Sequence, residues 1–206
     1  MLRIIYCRLN REVPTIKVIT AQKDAPSPPP ARTYLTFDGP IRFPQGRYVD
    51  SKMVPFGNFQ VGDELWFDYY LNAVGPNPIE TGGGARALYL EPDSTFETQQ
   101  AMFTDFAARL KKERKEHPVK EVIKTVMPGP AGWDSVLGHD KNGKAFALTA
   151  NDLDALQKGT QVAFVIVELK YRDRGKLHHL RTCQFLQPPA IPPGIWYFCD
   201  GFTKSD

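Results

Sequence analysis

The side chains able to act as nucleophile, base or metal ligand are few. His178-His179 lies just ahead of Cys183, and an imidazole that takes the proton of a thiol makes a nucleophile pair. In a strand, though, neighbouring residues point to opposite faces, and no third group is placed to orient the base. Asp63, Glu64 and Asp68 share one stretch without the spacing of metal ligands. Gly82-Gly83-Gly84 is followed by no Lys-Ser/Thr pair and opens no helix, so it reads as a hairpin tip rather than a phosphate loop. Cys7, Cys183 and Cys199 are odd in number, widely spaced and outside any C-x-x-C. They signal neither a disulfide framework nor a zinc site and predict reduced thiols. The residues thus predict no enzyme, with no catalytic residue, no metal and no cofactor.

Aromatic and basic residues make the stronger case, and it is a case for binding. The chain has 13 Phe, 8 Tyr and 3 Trp among 206 residues, with 18 prolines. That mixture favours short strands, turns and flat apolar faces over helical bundles. Apolar residues at 42% and charged residues at 24% are ordinary for a folded protein and exclude wholesale disorder. A net charge of +3 is too small for a protein that coats duplex nucleic acid by bulk electrostatics. Any basic surface must be local. Residues 1–95 hold ten Lys/Arg and ten Asp/Glu, residues 96–127 seven against five, and residues 128–187 eight against six. In the last stretch Lys170, Arg172, Arg174, Lys176, His178, His179 and Arg181 surround Asp173 in one hairpin. It reads either as a flexible basic finger for phosphates or as a charged, solvated tip. Arg109-Leu110-Lys111-Lys112-Glu113-Arg114-Lys115 reads either as a basic patch or as a polar helix end whose cations complement the helix dipole.

The elements that must position these residues follow from punctuation and period. Ser94-Thr95-Phe96-Glu97 has the form of a capping box, and Phe96, Phe103, Phe106, Ala107 and Leu110 then recur at helical spacing. Gln99, Gln100, Asp105, Arg109 and Lys112 fall on the opposite face, and Pro118 closes the element. One amphipathic helix over about 94–117 is predicted. Either side of it reads as short strands. Before it come Met1–Arg8, Thr15–Ala21, Tyr34–Phe37, Arg47–Val49, Glu64–Leu71 and Arg86–Leu90. After it come Val122–Met127, Ser135–Gly138, Ala145–Thr149, Gln161–Tyr171 and His178–Leu186. Ala25–Ala31 is a stiff proline loop. No stretch reaches the length of a membrane span and no secretory leader is apparent, so a cytoplasmic location is expected.

A repeat organises the strands. Val61-Gly62-Asp63-Glu64-Leu65-Trp66-Phe67-Asp68, with Ala85–Pro92 downstream, parallels Lys158-Gly159-Thr160-Gln161-Val162-Ala163-Phe164-Val165 with Leu180–Pro188. From the glycine to the arginine is 24 residues in one copy and 22 in the other. The expected domains are a first barrel over 1–93, the connecting helix over 94–117, a second barrel over 118–188 and a proline-rich, aromatic tail over 189–206.

The second copy resembles the cold-shock domain, a five-stranded OB-type barrel. Ala131-Gly132-Trp133-Asp134-Ser135-Val136 stands at that family's glycine-led aromatic strand, and His139–Lys144 at its turn. Ala145-Phe146-Ala147-Leu148 stands at its second aromatic strand, and Asn151–Phe164 completes the likeness. In the first copy Tyr34–Phe37 and Arg47-Tyr48-Val49-Asp50 sit near the same two positions. The resemblance implies a mainly β fold of two small OB-like barrels and a sheet face on which unpaired bases stack. It places Trp133, Phe146, Tyr34 and Tyr48 as stacking residues. Lys124, Lys141, Lys144, Arg172, Arg174 and Lys176 would follow the phosphates. Ser135, Leu148 and Val126 stand where the family has two further aromatics and a histidine.

The expected function is non-catalytic binding of single-stranded RNA or DNA. The alternative is a protein-interaction or assembly module on the same scaffold. Its candidate surface is the apolar Ile195–Phe198 segment, which either folds back on the barrels or meets a partner.

Overall fold

Val162-Ala163-Phe164-Val165-Ile166-Val167 has no polar alternation, and a strand of that kind is stable only where both of its faces are covered. The computed structural model describes residues 31–49, 52–55, 57–116, 124–139, 145–187, 195–202 and 204–205. It puts this stretch in the middle of the largest sheet. The predicted strands Met1–Arg8 and Thr15–Ala21 and the proline loop before residue 31 lie outside the described residues.

In chain order the elements are β1 (Tyr34–Phe37), β2 (Gly46–Val49), β3 (Lys52–Pro55), β4 (Trp66–Val74), β5 (Ile79–Glu91), α1 (Phe96–Glu116), β6 (Lys124–Val126), β7 (Gly129–Leu137), α2 (Ala150–Lys158), β8 (Val162–Asp173), β9 (Lys176–Gln187), β10 (Ile195–Phe198) and β11 (Lys204–Ser205). The fold is mainly β, as expected. A three-stranded sheet runs β1-β4-β7, a six-stranded sheet runs β10-β9-β8-β5-β6 with β11 also on β9, and β2-β3 form a ribbon. All pairings are antiparallel. Among the described residues no helix is long and apolar enough to cross a membrane.

β8 divides the core in two. Ala163, Val165, Val167, Leu169 and Tyr171 pack with Leu35, Phe67, Tyr69 and Val136 between the two larger sheets. Val162, Phe164 and Ile166 turn the other way, onto Met102 and Phe106 of α1 and onto Cys183 and Cys199. Each large side chain buried this way is worth roughly 1.5–3 kcal/mol.

Strand pairing crosses α1 instead of dividing there. β7, from beyond the helix, completes the sheet of β1 and β4, and β5, from before it, lies between β6 and β8. The two copies of the repeat are therefore built differently. β8 and β9 are a true hairpin, whereas β4 and β5 belong to different sheets, joined through Gly75. A Cβ at Gly75 would stand 2.5 Å from both the Cα and the hydroxyl of Thr33, and its φ of 144° favours glycine. Gly82–Gly84, read as a hairpin tip, sit inside β5.

The helices differ from expectation in detail. At the start of α1 the Thr95 hydroxyl accepts from Thr98 N at 3.3 Å, one position later than the predicted box. Asp93 accepts from Thr95 and Thr98, which holds its carboxyl below the usual range. Phe96, predicted to be buried, is exposed, and Gln99, predicted to be exposed, is buried. Gln99 donates to Ser94 O and accepts from Asp200 N at 2.8 Å, so the amide closes the helix onto the tail. α2 replaces part of the expected loop. Thr149 and Asp152 form its capping box, and Gly159, with φ 74°, ends it in the left-handed region.

The tail folds back. Trp196 packs edge-on against Phe67 at 4.9 Å, Tyr197 stacks on Phe185, and Phe202 stacks on Phe103 at 4.6 Å. Cys183 and Cys199 form a disulfide with Cα atoms 5.3 Å apart, which corrects the expectation of reduced thiols. Sixteen residues of separation gave no sign of it, because only the antiparallel return of the tail along β9 brings the two together.

Candidate nucleic-acid interface

Alternation along β4 separates two sets of residues. Phe67, Tyr69 and Ala73 enter the core with Leu35 of β1 and Val136 of β7. Trp66, Asp68, Tyr70, Asn72 and Val74 occupy the other face. The register aligns them with Tyr34 and Thr36 on one side and with Trp133, Ser135 and Leu137 on the other. Tyr34 is 49% exposed and pairs with Val74. Position 133 falls opposite Tyr70. The Arg42 guanidinium lies 4.7 Å above the Tyr70 ring and donates to Asp38 O, so one cation and one aromatic ring are already held face to face. Trp66 meets Phe59 edge-on at 5.7 Å.

The electrostatics of this face are mild. Asp68, its one acid, accepts from the Ser135 hydroxyl at 2.6 Å. Burial raises its pKa against the lowering effect of that bond. Asn72 Oδ1 is buried with no hydrogen-bond partner among the described residues. On the underside, burial pushes the Tyr69 hydroxyl up to about 12, with Arg86 acting in the opposite sense.

The hairpin of β8 and β9 carries basic residues to the end of the molecule where β1 begins. Arg174 (φ 52°) and Gly175 (φ 79°) form a two-residue turn in the left-handed region, the geometry that suits the twist of a hairpin. Its root is fixed: Asp173 is buried and accepts from Thr33 N at 3.4 Å, and Arg174 donates to Ala31 O. His178 stacks on Tyr171 at 5.1 Å between centroids. The tip is thus docked beside the residues that lead into Tyr34. Arg172 lies opposite Glu80, and Lys124 opposite Thr81, which pairs in turn with Tyr171. Lys124, Arg172, Arg174 and Lys176 therefore gather at the end where β1 begins.

Other expected residues fall elsewhere. Phe146 is half-buried against the core, where its backbone pairs with Leu65 and Gly138. It does not share the face of Tyr34 and Tyr70. Tyr48 is on the β2-β3 ribbon, opposite Met53. Lys141 and Lys144 lie outside the described residues. His179, considered with Cys183, and Arg181, from the basic hairpin, flank the buried Glu168 at 3.7 and 3.1 Å. Cys183 itself is in the disulfide. Among the described residues no group of His, Cys, Asp and Glu is placed to hold a metal ion.

Sequence reasoning missed Tyr70 and Arg42. A signal for Tyr70 was present: Asp68 and Asn72 mark the polar side of β4, and Tyr70 lies between them in a period of two. Arg42 had none, since its place depends on the chain returning past β4. Compared with protein-family models, curated proteins and solved structures, the chain matches none of them.

Proposed function

We propose that this protein binds single-stranded nucleic acid, RNA or DNA, without catalysing a reaction. It would use an aromatic sheet face flanked by cations, in the manner of OB-like and cold-shock domains. The observation that carries the reading is the run of Tyr34, Tyr70 and position 133 on one sheet face, with Arg42 over Tyr70 and the basic hairpin tip docked beside the segment that leads into Tyr34. Bases stack on such rings whatever their sequence, each contact being worth about 1–3 kcal/mol, so useful affinity does not need a large net charge. Within this reading Tyr34, Tyr70 and Trp133 receive bases and Arg172, Arg174, Lys176 and Lys124 follow the phosphates. Phe146 and Tyr48 no longer share a face with them.

Fluorescence anisotropy with labelled single-stranded oligonucleotides, at low and moderate salt, tests it. Tyr70→Ala and Trp133→Ala should each weaken binding by about 1–3 kcal/mol. Arg172→Gln with Lys176→Gln should flatten the salt dependence. Absence of binding by the unaltered chain refutes the reading.

A second reading, self-association through the edge strand β10, has its own observation: Ile195 and Phe198 are 62% and 60% exposed beside the tightly packed Trp196. Light scattering on Ile195→Ser/Phe198→Ser decides it, since a dimer lost in that variant supports it and a monomer in the unaltered chain excludes it.

A further inference from the structure

The cavity at the seam between the two larger sheets plays no part in stacking bases. It measures about 260 Å³, and Leu35, Leu71 and Leu169 contribute an apolar wall. Arg86, Lys124 and Lys170 line it as well, with Asp134 the single acid among the lining residues. The Arg86 guanidinium bonds the Asp134 carboxylate and lies over the Tyr69 ring at 5.7 Å, so its planar fork is already oriented.

The remaining wall is a bulge in β5. Thr81 pairs with Tyr171 and Gly84 with Leu169, so Gly82 and Gly83 together stand opposite Lys170. A bulge leaves its extra residue unpaired in the ladder. Gly84 must be glycine here, because a Cβ would fall 2.5 Å from Leu169 Cδ2 and 2.7 Å from Glu168 O. At Gly83 a Cβ would meet nothing within 4 Å, so the bulge opens onto space.

The Arg86–Asp134 pair and the Lys124 ammonium leave a positive balance in a small space with an apolar wall. A phosphate monoester carries about −1.5 to −2 at neutral pH and offers three strong acceptor oxygens. We propose that the seam cavity binds a phosphate monoester with a small apolar organic part, its oxygens engaging Arg86 and Lys124 and its organic part resting on the leucines. The same dianion is presented by a free small molecule and by the terminal phosphate of a nucleic-acid strand. The site stands on its own lining and does not depend on base stacking.

Because Asp134 competes with the ester for Arg86, the two partners have opposite effects. Calorimetric titration of the whole chain with phenyl phosphate should show saturable binding, and phenol should show none. Arg86→Gln and Lys124→Gln should each weaken binding about tenfold, while Asp134→Asn should strengthen it by about the same factor. No saturation in the millimolar range overturns the proposal. So does unchanged affinity in Lys124→Gln, whose exposed side chain can be altered without disturbing the core. Parallel titrations with a 5′-phosphorylated and a 5′-hydroxyl oligonucleotide identify the source. A preference for the phosphorylated strand that Arg86→Gln removes points to a strand end, and equal affinity with phenyl phosphate binding retained points to a free ester. Should neither oligonucleotide bind, the stacking reading fails while the phenyl phosphate result still decides this one.

Discussion

The outer faces of the two larger sheets have opposite fates. That of the six-stranded sheet is apolar along Val162, Phe164 and Ile166, and α1 and the tail cover it, with Cys183 and Cys199 linked beneath them. That of the three-stranded sheet alternates aromatic and polar residues, and among the described residues its ring contacts are local ones, Arg42 over Tyr70 and Phe59 beside Trp66. The chain has an amphipathic helix to spend and spends it where leaving the face bare would cost most. Aromatics interleaved with polar residues such as Thr36 and Ser135 need less cover than an unbroken apolar run, because the polar neighbours keep the face from being a continuous apolar patch.

If the first face is closed by packing, Phe164→Ala should have the largest effect. Its ring is fully buried, and the substitution should cost about 3–5 kcal/mol in urea unfolding. A loss under 1 kcal/mol would mean that the helix is not seated there. Next comes the link beneath the tail. Cys183→Ser/Cys199→Ser opens a loop of 16 residues and should lower stability by about 3 kcal/mol, and a reducing agent should lower the melting temperature of the unaltered protein but not of this variant.

Tyr69, on the underside of the open sheet, gives a titration of similar or smaller size. Its pKa is raised from 10.0 to about 12 by burial, so the folded state holds its proton after the unfolded state has lost it. Stability from this group is complete below pH 10 and falls, by on the order of 2 kcal/mol, as the pH rises from about 10 to 12. Tyr69→Phe should flatten that part of the profile in alkaline melts. The smallest change sharpens the comparison most. Tyr70→Ala, on the open face, should alter stability by less than about 1 kcal/mol while weakening oligonucleotide binding as stated above. A loss of stability as large as that of Phe164→Ala would make Tyr70 a packing residue and end its claim as a platform.

How much of this was legible in the sequence depended on the range of the physics involved. β1, β8, β9 and α1 were readable because alternation, unbroken apolar runs and helical spacing are local. α2 was readable too, since Thr149 and Asp152 spell a capping box and Gly159 an end, but the family resemblance claimed that stretch as loop. The likeness of Val61–Asp68 to Lys158–Val165 misled for a related reason. Both are glycine-led strands, yet nothing local records that β8 turns back on itself while β4 and β5 part at Gly75. The stacking set divided accordingly. Tyr34 and position 133 fall on one sheet face, with Tyr70 the register partner of 133, and Phe146 goes to the core because its backbone is drawn in beside Leu65 and Gly138. Arg42, Gln99 and the disulfide depend on segments far apart in the chain and left no local trace.

Pairing across α1 has a consequence for how the chain acquires its fold during synthesis. When the ribosome has released residues up to the end of the helix, β4 still lacks β7, and β5 lacks both β6 and β8. The inner faces of β4 and β5 and the apolar stripe of α1 then lack the partners that β7, β8 and β9 supply, and they must wait for those strands to emerge. Sheets closed by such distant segments form slowly and expose sticky edges while they wait. The nascent first half is therefore the stage at which this protein most needs a chaperone, and a break in translation after α1 should yield an aggregating fragment rather than a folded half.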